Sequence, residues 1–360
     1  MKKILILTAG YGEGHNSAAS GIQAGLVRTA PAVQVEVHDL FAETYGRPNN
    51  WLRRGYLTLI NNWPRAWGLV YRWLDQKKDF DQSFRSRWFA PVKRHLADLL
   101  QRFQPDVVVS VFPAYPYLLQ QVQPDRTFRS VVVVTDSITV NAIWYHCPAD
   151  VFLVPNEQSA AVVREAGIGP EKIRAFGFPV NPRFADLPRR EPPSARERPR
   201  VLYMINAGTG RAPEITRRLC QLDIDLTVTV GREEKLRQVI AHAAGDQKIT
   251  IIGWTDQLPE LLCQSHVLIG KAGGATVQEA VAAGCPMIIN HIVSGQEEGN
   301  AQLIVTTQSG TVAHAPAEVV AQVQQLFGAD ASLWRQWSAH IAALSRPRAS
   351  LEIADFLMAL

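Results

Sequence analysis

Cysteine is scarce in this chain, and the few cysteines are scattered. The four are Cys147, Cys220, Cys263 and Cys285, and no two of them form a Cys-x-x-Cys pair. This pattern argues against a zinc site and a disulfide framework, and it fits a reducing cytosol. Because no cluster of His, Asp and Glu has the spacing of metal ligands either, we expect no metal.

Long apolar runs are missing as well. No stretch approaches the roughly 20 apolar residues that a membrane-spanning helix needs. The run Ile4–Leu7 follows Met-Lys-Lys but ends in a glycine turn, so it is too short for the core of a signal peptide. We therefore expect a cytoplasmic protein, and any contact with a membrane should be peripheral.

The length and the prolines predict two domains. At 360 residues the chain exceeds one compact core, and its 47 % apolar and 19 % charged residues are ordinary for a soluble enzyme. Six prolines between Phe178 and Arg200 interrupt both element types. We expect domains at 1–180 and 200–345, with a linker at 181–199. By fold-level analogy, a last helix at 346–360 packs back on the first domain.

Short apolar runs alternate with helical patterns on both sides of the linker. This repetition predicts α/β domains that are doubly wound, with parallel sheets covered by helices and ligands at the carboxyl ends of the strands. The predicted strands are Lys3–Leu7, Val33–Val37, Val107–Val111, Val131–Val134, Val151–Val154, Val201–Ile205, Leu226–Val230, Ile249–Ile252, Val267–Ile269 and Met287–Ile289.

Residues 270–300 are the most informative stretch. A strand ending at Ile269 runs into the turn Ala272-Gly273-Gly274, and a helix begins at about Ala275. The N–H groups of such a turn and the positive end of the helix dipole suit a diphosphate. Glu279 lies one turn into the helix, where a carboxylate can accept hydrogen bonds from both hydroxyls of a ribose.

A polar stretch with sugar-binding side chains follows the next strand. It reads Gly295-Gln-Glu-Glu-Gly-Asn300 and stands at the start of another helix. Phosphate, ribose and sugar in this order describe a sugar nucleotide. The alternative is a glycine-rich connection from strand to helix with a surface Glu279 and a polar loop.

His15 is the candidate catalytic residue of the first half. It follows the glycine turn Gly10–Gly14 at the start of a helix, whose N-terminus disfavours a charged imidazolium. A neutral ring can take a proton from an alcohol as a general base, and the alternative is a capping or core histidine. Asp136, after the strand Val131–Val134, would either orient His15 or cap the next helix.

Two other motifs are weaker. Gly10, Gly12 and Gly14 form G-x-G-x-G rather than the dinucleotide pattern G-x-G-x-x-G, although Asp39 after the second strand keeps a nicotinamide interpretation open. Asp223-Ile-Asp225 is a D-x-D triplet, which metal-dependent sugar transferases of another architecture use. Because it precedes a plain strand here, we interpret it as a turn.

Residues 51–94 show only a helical pattern. Five of the nine Trp residues lie here, and residues 47–94 contain eleven Lys and Arg against three Asp, a local net charge of +8. The rest of the chain therefore carries −4, since the total is +4. Such a surface suits an anionic membrane interface. The alternatives are a helical subdomain with an aromatic core, a protein interface and a nucleic-acid surface.

Five motifs together resemble a known family, in the family's order over nearly the whole chain. They are Gly12-Glu-Gly-His-Asn-Ser-Ala-Ala19, Val134–Trp144, Gly253-Trp-Thr-Asp256, Lys271–Ala280 and Gly295–Asn300. The chain resembles the processive diacylglycerol glucosyltransferases and monogalactosyldiacylglycerol synthases, within the two-domain (GT-B) glycosyltransferases that include the peptidoglycan GlcNAc transferase. The resemblance implies two Rossmann-like domains facing a cleft, and inverting transfer of glucose or galactose from a UDP-sugar to diacylglycerol. We also expect an anionic membrane surface at the inner face of the cell membrane and no nucleic acid, and no metal is needed if backbone amides and the helix dipole carry the diphosphate charge.

The resemblance assigns roles to individual residues. His15 and Asp136 would be catalytic, and Glu279 would bind the ribose. Backbone amides would hold the diphosphate at Gly273, Gly274, Ala275 and Thr276. Trp254 and Thr255 would meet the uracil, and Gln296 and Glu297 the sugar. The other donor-side residues are Gly208, Gly231, Arg232, Lys271 and Asn300. The acceptor and membrane side comprises Tyr11, Gly14, Trp51, Arg54, Trp63, Arg65, Trp67 and Trp144.

Three positions depart from the family pattern. Asn141 stands where the family has a histidine, the turn Asn206–Gly210 is less glycine-rich, and Glu13 would assist His15 or select the acceptor. Two alternatives to a lipid glycosyltransferase are a UDP-sugar epimerase of the same architecture and a non-catalytic, membrane-docking UDP-sugar sensor. The residues leave the donor sugar, the number of sugars added and the acceptor lipid open.

Overall fold

The chain folds into two compact units. The first comprises Met1–Pro182, Val293–Gly299 and Arg348–Leu360, and the second comprises Arg183–Ile292 and Asn300–Pro347. The computed structural model describes residues 1–49, 55, 80–138, 140–193, 197–293 and 297–360. The division between Pro182 and Arg183 falls within the proline-rich stretch that the sequence predicts as a linker.

The first unit is built on a six-stranded parallel sheet in the order β2-β1-β3-β4-β5-β6. β1 and β3 are almost completely buried because helices cover both faces of the sheet. The strands are β1 (Lys3–Leu7), β2 (Gln34–His38), β3 (Val107–Ser110), β4 (Arg129–Val133), β5 (Val151–Leu153) and β6 (Ile173–Arg174).

Helices follow these strands in the described part of the first unit. They are α1 (Glu13–Thr29), α2 (Leu40–Tyr45), α3 (Asp81–Phe84), α4 (Ala90–Phe103), α5 (Tyr115–Val122) and α6 (Glu157–Glu165). Short 3-10 helices lie at Arg87–Phe89, Ala142–Trp144 and Pro170–Lys172.

The second unit has its own six-stranded parallel sheet, in the order β12-β11-β10-β7-β8-β9. Its strands are β7 (Arg200–Met204), β8 (Asp225–Thr229), β9 (Thr250–Ile252), β10 (Val267–Lys271), β11 (Met287–His291) and β12 (Gly310–Val312). The later helices are α7 (Ala212–Leu219), α8 (Glu234–Ala244), α9 (Leu258–Gln264), α10 (Gly274–Ala283), α11 (Glu298–Thr306), α12 (Pro316–Phe327), α13 (Ser332–Leu344) and α14 (Ala349–Ala359).

The last helix, α14, packs along α1 in the first unit at very short range. A Cβ atom at Gly25 would lie 2.4 Å from the carbonyl oxygen of Ser350. Another at Gly21 would lie 1.8 Å from the carbonyl oxygen of Pro179. Only glycine leaves room for α14 beside Gly25 and for the backbone of Pro179 beside Gly21.

The predicted α/β class with two doubly wound domains is confirmed. Each predicted strand is present, with its ends shifted by at most two residues. β6 and β12 are missing from the prediction because Ile-Arg and Gly-Thr-Val contain no run of apolar residues. α1 begins three residues before the predicted Asn16, and α10 begins one residue before Ala275.

The segment 51–94 is only partly described. Its described part contains α3, the 3-10 helix Arg87–Phe89 and the start of α4, so it is helical as predicted. The predicted membrane-side residues Trp51, Arg54, Trp63, Arg65 and Trp67 lie outside the described residues. Within the described residues, no helix is both long and apolar enough to cross a membrane.

Each sheet has one point where its strand order reverses. In the first unit the chain adds β2 on one side of β1 and β3 on the other, and in the second unit β7 and β10 are the central neighbours. At such a point the following loops turn to opposite faces, which opens a crevice at the carboxyl ends of the strands. The glycine turn before His15 and the turn at Gly273 each lie at such a crevice.

Candidate functional site

His15 lies in the first turn of α1, and the ends of two other strands hold its ring. Nδ1 lies 2.7 Å from the carbonyl oxygen of Val111, directly after β3, and 3.2 Å from Oγ1 of Thr135, after β4. A carbonyl oxygen can only accept a hydrogen bond, so in the neutral ring Nδ1 carries the proton. Nε2 therefore keeps the lone pair that a general base needs.

The surroundings keep this ring neutral. Burial lowers the pKa of His15 from its ordinary value of 6.5 to about 4, and the hydrogen bond to Val111 opposes the shift. The sequence predicts a neutral ring from the start of the helix, whereas desolvation is the larger cause. At neutral pH the ring can accept a proton without first losing one.

Asp136 holds the indole ring of Trp144, which lies next to His15. Its Oδ2 accepts a hydrogen bond of 2.8 Å from Nε1 of Trp144, which is buried. The ring centroids of Trp144 and His15 lie 6.0 Å apart with their planes at 44°. The carboxylate therefore orients the indole that packs against the candidate base.

The capping role that the sequence leaves open for Asp136 belongs to another residue. Asn141 is the N-cap of the 3-10 helix Ala142–Trp144, and its Oδ1 accepts a hydrogen bond of 3.2 Å from the N–H of Ile143. Asn141 thus has a structural role at the position where the resemblance predicts a histidine.

Aromatic side chains surround His15 in the first unit. Phe112 meets its ring edge-on at 5.2 Å, and Tyr11 stacks on Phe112 at 5.8 Å. The hydroxyl of Tyr11 donates a hydrogen bond of 2.7 Å to Oδ1 of Asn49. Tyr11 and Phe112 thus lie beside the candidate base, and Gly14 directly precedes it in α1.

Asp39 has a structural role that removes the reason for a nicotinamide interpretation. Its Oδ2 accepts a hydrogen bond of 2.8 Å from the N–H of Gly10, and its Oδ1 accepts one of 2.9 Å from the N–H of Ala42. The carboxylate therefore fixes the glycine turn and caps α2.

The start of α10 presents backbone N–H groups at the crevice of the second sheet. Gly273 is the N-cap, and no described side chain caps this helix end. The N–H groups of Gly274, Ala275 and Thr276 therefore have no helical carbonyl partner. Glu279 lies half-buried one turn further along α10, and Lys271 ends β10.

The turn before α10 is braced from both sides. The N–H of Ala272 donates to the carbonyl oxygen of His291 at 2.9 Å, and Nδ2 of Asn300 donates to the carbonyl oxygen of Ala272 at 3.1 Å. Asn300 is 4 % exposed, and its Oδ1 has no hydrogen-bond partner among the described residues. Asn300 thus positions the turn and keeps a buried oxygen that can accept a ligand hydroxyl.

The turns after β8 and β9 contain four predicted donor-side residues and bring Arg232 and Trp254 together. Gly231 has a φ of +58°, which favours glycine. The guanidinium of Arg232 lies 5.1 Å from the ring centroid of Trp254, whose side chain is 65 % exposed. The hydroxyl of Thr255 accepts a hydrogen bond of 3.0 Å from the N–H of Gln257. An exposed indole held by a cation offers a flat face for a ring such as uracil.

The remaining predicted donor residues lie in different surroundings. Gly208 adopts a φ of +66° in the turn after β7. Glu297 is buried, and its Oε2 accepts a hydrogen bond of 3.0 Å from the N–H of Val293 within the same loop. Gln296 lies outside the described residues.

Two family models match this chain. The Monogalactosyldiacylglycerol (MGDG) synthase model matches residues 15–180. The Glycosyltransferase family 28 C-terminal domain matches residues 206–332. Residues 15–180 and 206–332 are called the MGDG synthase domain and the family 28 domain after these matches. The predicted resemblance to this family of glycosyltransferases is therefore confirmed.

Curated relatives match over nearly the whole chain. A probable monogalactosyldiacylglycerol synthase of Glycine max is 29 % identical, with 99 % of this chain and 71 % of the relative covered. The processive diacylglycerol beta-glucosyltransferase of Bacillus subtilis is 25 % identical, with 93 % of this chain and 89 % of the relative covered.

Solved structures share the fold. MurG of Acinetobacter baumannii has a TM-score of 0.66 at 14 % identity, with 100 % of both chains covered. A UDP-GlcNAc 2-epimerase of Neisseria meningitidis, bound to UDP-GlcNAc, has a TM-score of 0.63 at 12 % identity, again with 100 % of both chains covered. These likenesses confirm the GT-B fold, and the fold alone does not separate transferases from epimerases.

The MGDG synthase domain contains site residues that sequence reasoning missed. Val111, Phe112 and Thr135 all contact His15. Val111 and Phe112 belong to no motif, and Thr135 lies in the motif Val134–Trp144 without an assigned role. Their signal is position, because each ends or directly follows a predicted buried strand next to or near β1. In the family 28 domain, His291 was missed in the same way at the end of β11.

Proposed function

We propose that this chain is an inverting hexosyltransferase that moves glucose or galactose from a UDP-sugar to the free hydroxyl of diacylglycerol, forming a β-glycosyldiacylglycerol. The observation that carries the proposal is the neutral His15, which lies in the MGDG synthase domain with Nε2 as its basic atom. The names of the curated relatives support the two sugars and the lipid acceptor.

In this reaction His15 is the general base. Nε2 takes the proton of the acceptor hydroxyl while the hydroxyl oxygen attacks the anomeric carbon of the sugar. The bond from that carbon to the phosphate oxygen breaks, and UDP leaves with the electron pair. Asp136 acts through Trp144, which it holds against the base.

The family 28 domain binds the donor. The N–H groups at the start of α10 and the helix dipole stabilise the charge that develops on UDP. Glu279 accepts hydrogen bonds from the ribose, and Trp254 with Thr255 meets the uracil. Gln296, Glu297 and Asn300 bind the sugar. Structures of the same fold bound to UDP and to UDP-GlcNAc support a UDP-sugar as the donor. We expect the reaction to need no metal.

The acceptor reaches the protein from an anionic membrane surface. Trp88, which stacks on Tyr45 at 5.4 Å, is 54 % exposed, and the segment around it is strongly basic. Exposed Trp and clustered Arg and Lys dock proteins at such an interface. We therefore propose peripheral binding at the cytoplasmic face of the cell membrane, with no nucleic-acid partner.

A vesicle assay tests this function. Vesicles of phosphatidylglycerol and diacylglycerol, incubated with the protein and UDP-glucose or UDP-galactose, should yield a glycolipid that mass spectrometry detects. The proposal would be wrong if no glycolipid formed and neither donor released UDP. An isomerised UDP-sugar without acceptor would identify an epimerase, and binding without turnover would identify a sensor.

A further inference from the structure

A cavity of about 330 Å³ opens within the second unit, beside the turn that leads to α10. It lies where β7, β11 and β12 end, because residues that follow or end these strands line it. The polar lining residues are Gly208, Gly210, Arg211, Asn290, His291 and His314. Ile215 and Ile292 supply apolar walls.

The side chains of this cavity favour an anion. Among the described residues, its lining includes an arginine and two histidines but no carboxylate. The nearby Glu318 is occupied, since its Oε2 accepts hydrogen bonds of 3.0 Å and 2.9 Å from the N–H groups of His314 and Ala315. Nη1 of Arg211 donates to the carbonyl oxygen of His314 at 3.0 Å, which fixes the guanidinium at the rim.

The cavity adjoins the N–H groups at the start of α10. β10 lies between β7 and β11, so the ends of both neighbouring strands flank its following turn. Lys271 pairs with His291 in the register of β10 and β11. The backbone carbonyl oxygen of His291 also accepts a hydrogen bond from the N–H of Ala272. A Cβ atom at Gly208 would lie 3.6 Å from Nδ1 of His291, so the glycine turn after β7 closes over this ring.

We propose that this cavity is a phosphate subsite, in which Arg211 and His291 bind the phosphate group of the donor that carries the sugar. The inference rests on the proposed function and adds side-chain cations to a site that backbone N–H groups alone would otherwise form. During transfer this phosphate becomes the terminal phosphate of UDP and gains negative charge. Groups that bind it more strongly after the bond breaks assist its departure.

Isothermal titration calorimetry with UDP, uridine and inorganic pyrophosphate tests the subsite. His291→Gln and Arg211→Gln should each lower UDP affinity about ten-fold, the loss typical of one hydrogen bond to a charged group. Uridine affinity should stay unchanged, because uridine lacks the phosphates. Arg217→Ala, an exposed arginine of α7 outside the cavity, is the control and should bind all three ligands as the wild type does.

Each result decides the inference. Unchanged UDP affinity in both variants would overturn it, and so would an equal loss for uridine, which would indicate damage to the fold. If His291→Gln fails to fold, the exposed Arg211→Gln gives the same comparison. Should the wild type make no glycolipid, pyrophosphate binding that depends on Arg211 and His291 would still support the subsite while the proposed function failed.

Discussion

Nδ1 of His15 lies 2.7 Å from the carbonyl oxygen of Val111, and this contact selects the basic atom of the ring. The two residues are 96 positions apart in sequence and meet because β1 and β3 are neighbours in the first sheet. The topology of the sheet therefore sets the tautomer of the candidate base. Trp144, oriented by Asp136, packs against the same ring.

Replacing the base should stop transfer but leave donor binding intact. We expect His15→Gln to lower kcat by a factor of about 10² to 10⁴, because the acceptor hydroxyl loses its general base. UDP affinity, measured by calorimetry, should not change, since the residues proposed to bind UDP at the start of α10 and around Trp254 belong to the second unit. His242→Gln changes an exposed histidine of α8 and should transfer at the wild-type rate. Near wild-type kcat in His15→Gln would refute the assignment.

The low pKa of His15 predicts that the plot of kcat/KM against pH falls only at unusually acidic pH. Protonation removes the lone pair of Nε2, so kcat/KM should rise with pH through about 4 and stay flat at neutral pH. Phe112→Ala exposes the ring to water and should move the limb upward toward the ordinary value of 6.5. Circular dichroism at each pH separates titration from unfolding. A wild-type limb at 6.5 would contradict burial as the cause.

Local patterns in the sequence predict most of the fold. Buried parallel strands such as β1 and β3 are continuous apolar runs, and Gly or Pro marks their ends. β6 and β12 escape prediction because Ile-Arg and Gly-Thr-Val contain no apolar run, whereas the equally short edge strand β9 ends in Ile-Ile. The pairing of β6 and β12 with the adjacent strand is not visible in their own residues.

The candidate site is predictable only where a motif marks it. His15, Gly273 and Glu279 stand in recognisable turns and helix starts, whereas Val111 is an ordinary strand-end residue. Thr135 is 120 positions from His15, and only the strand order brings the two together. The link from Asp136 to Trp144 depends likewise on the path of the loop after β4, which spacing does not reveal.

Asp136 and Trp144 should behave as one unit in a double-mutant cycle. Asp136→Ala and Trp144→Phe each remove the 2.8 Å hydrogen bond, so each should lower kcat by about ten-fold, as for a lost bond to a charged group. Because the carboxylate acts through the indole, the double variant should be no slower than the worse single variant. Multiplied losses would show that Asp136 acts independently, and thermal unfolding checks that each variant folds.

Trp88 and Trp254, the exposed tryptophans of the described residues, should have different functions. Trp88→Ala should lower partitioning onto phosphatidylglycerol vesicles about ten-fold, since a large apolar side chain no longer enters the interface. Trp254→Ala should instead weaken UDP binding about ten-fold through lost stacking on the uracil. Each variant is the control for the other in vesicle sedimentation and calorimetry. If Trp88→Ala sediments as the wild type does, the proposed membrane surface is wrong at this residue.

Asn300 should control the shape of the turn before α10. Its Nδ2 donates a hydrogen bond to the carbonyl oxygen of Ala272. In Asn300→Asp a carboxylate oxygen would face that carbonyl oxygen, and it has no hydrogen to donate. We expect the free energy of unfolding to fall by about 1–3 kcal/mol, since the buried carbonyl loses its partner. UDP affinity should fall more than ten-fold, because the new negative charge adjoins the N–H groups that bind the diphosphate.

A matched variant separates the bond from the charge. Gln302→Glu makes the same change from amide to carboxylate at an exposed position of α11 and should leave both quantities near wild type. Urea unfolding and calorimetry with UDP measure the two effects. If Asn300→Asp loses stability but binds UDP normally, the turn does not need this brace to hold the diphosphate, and Asn300 has only a structural role.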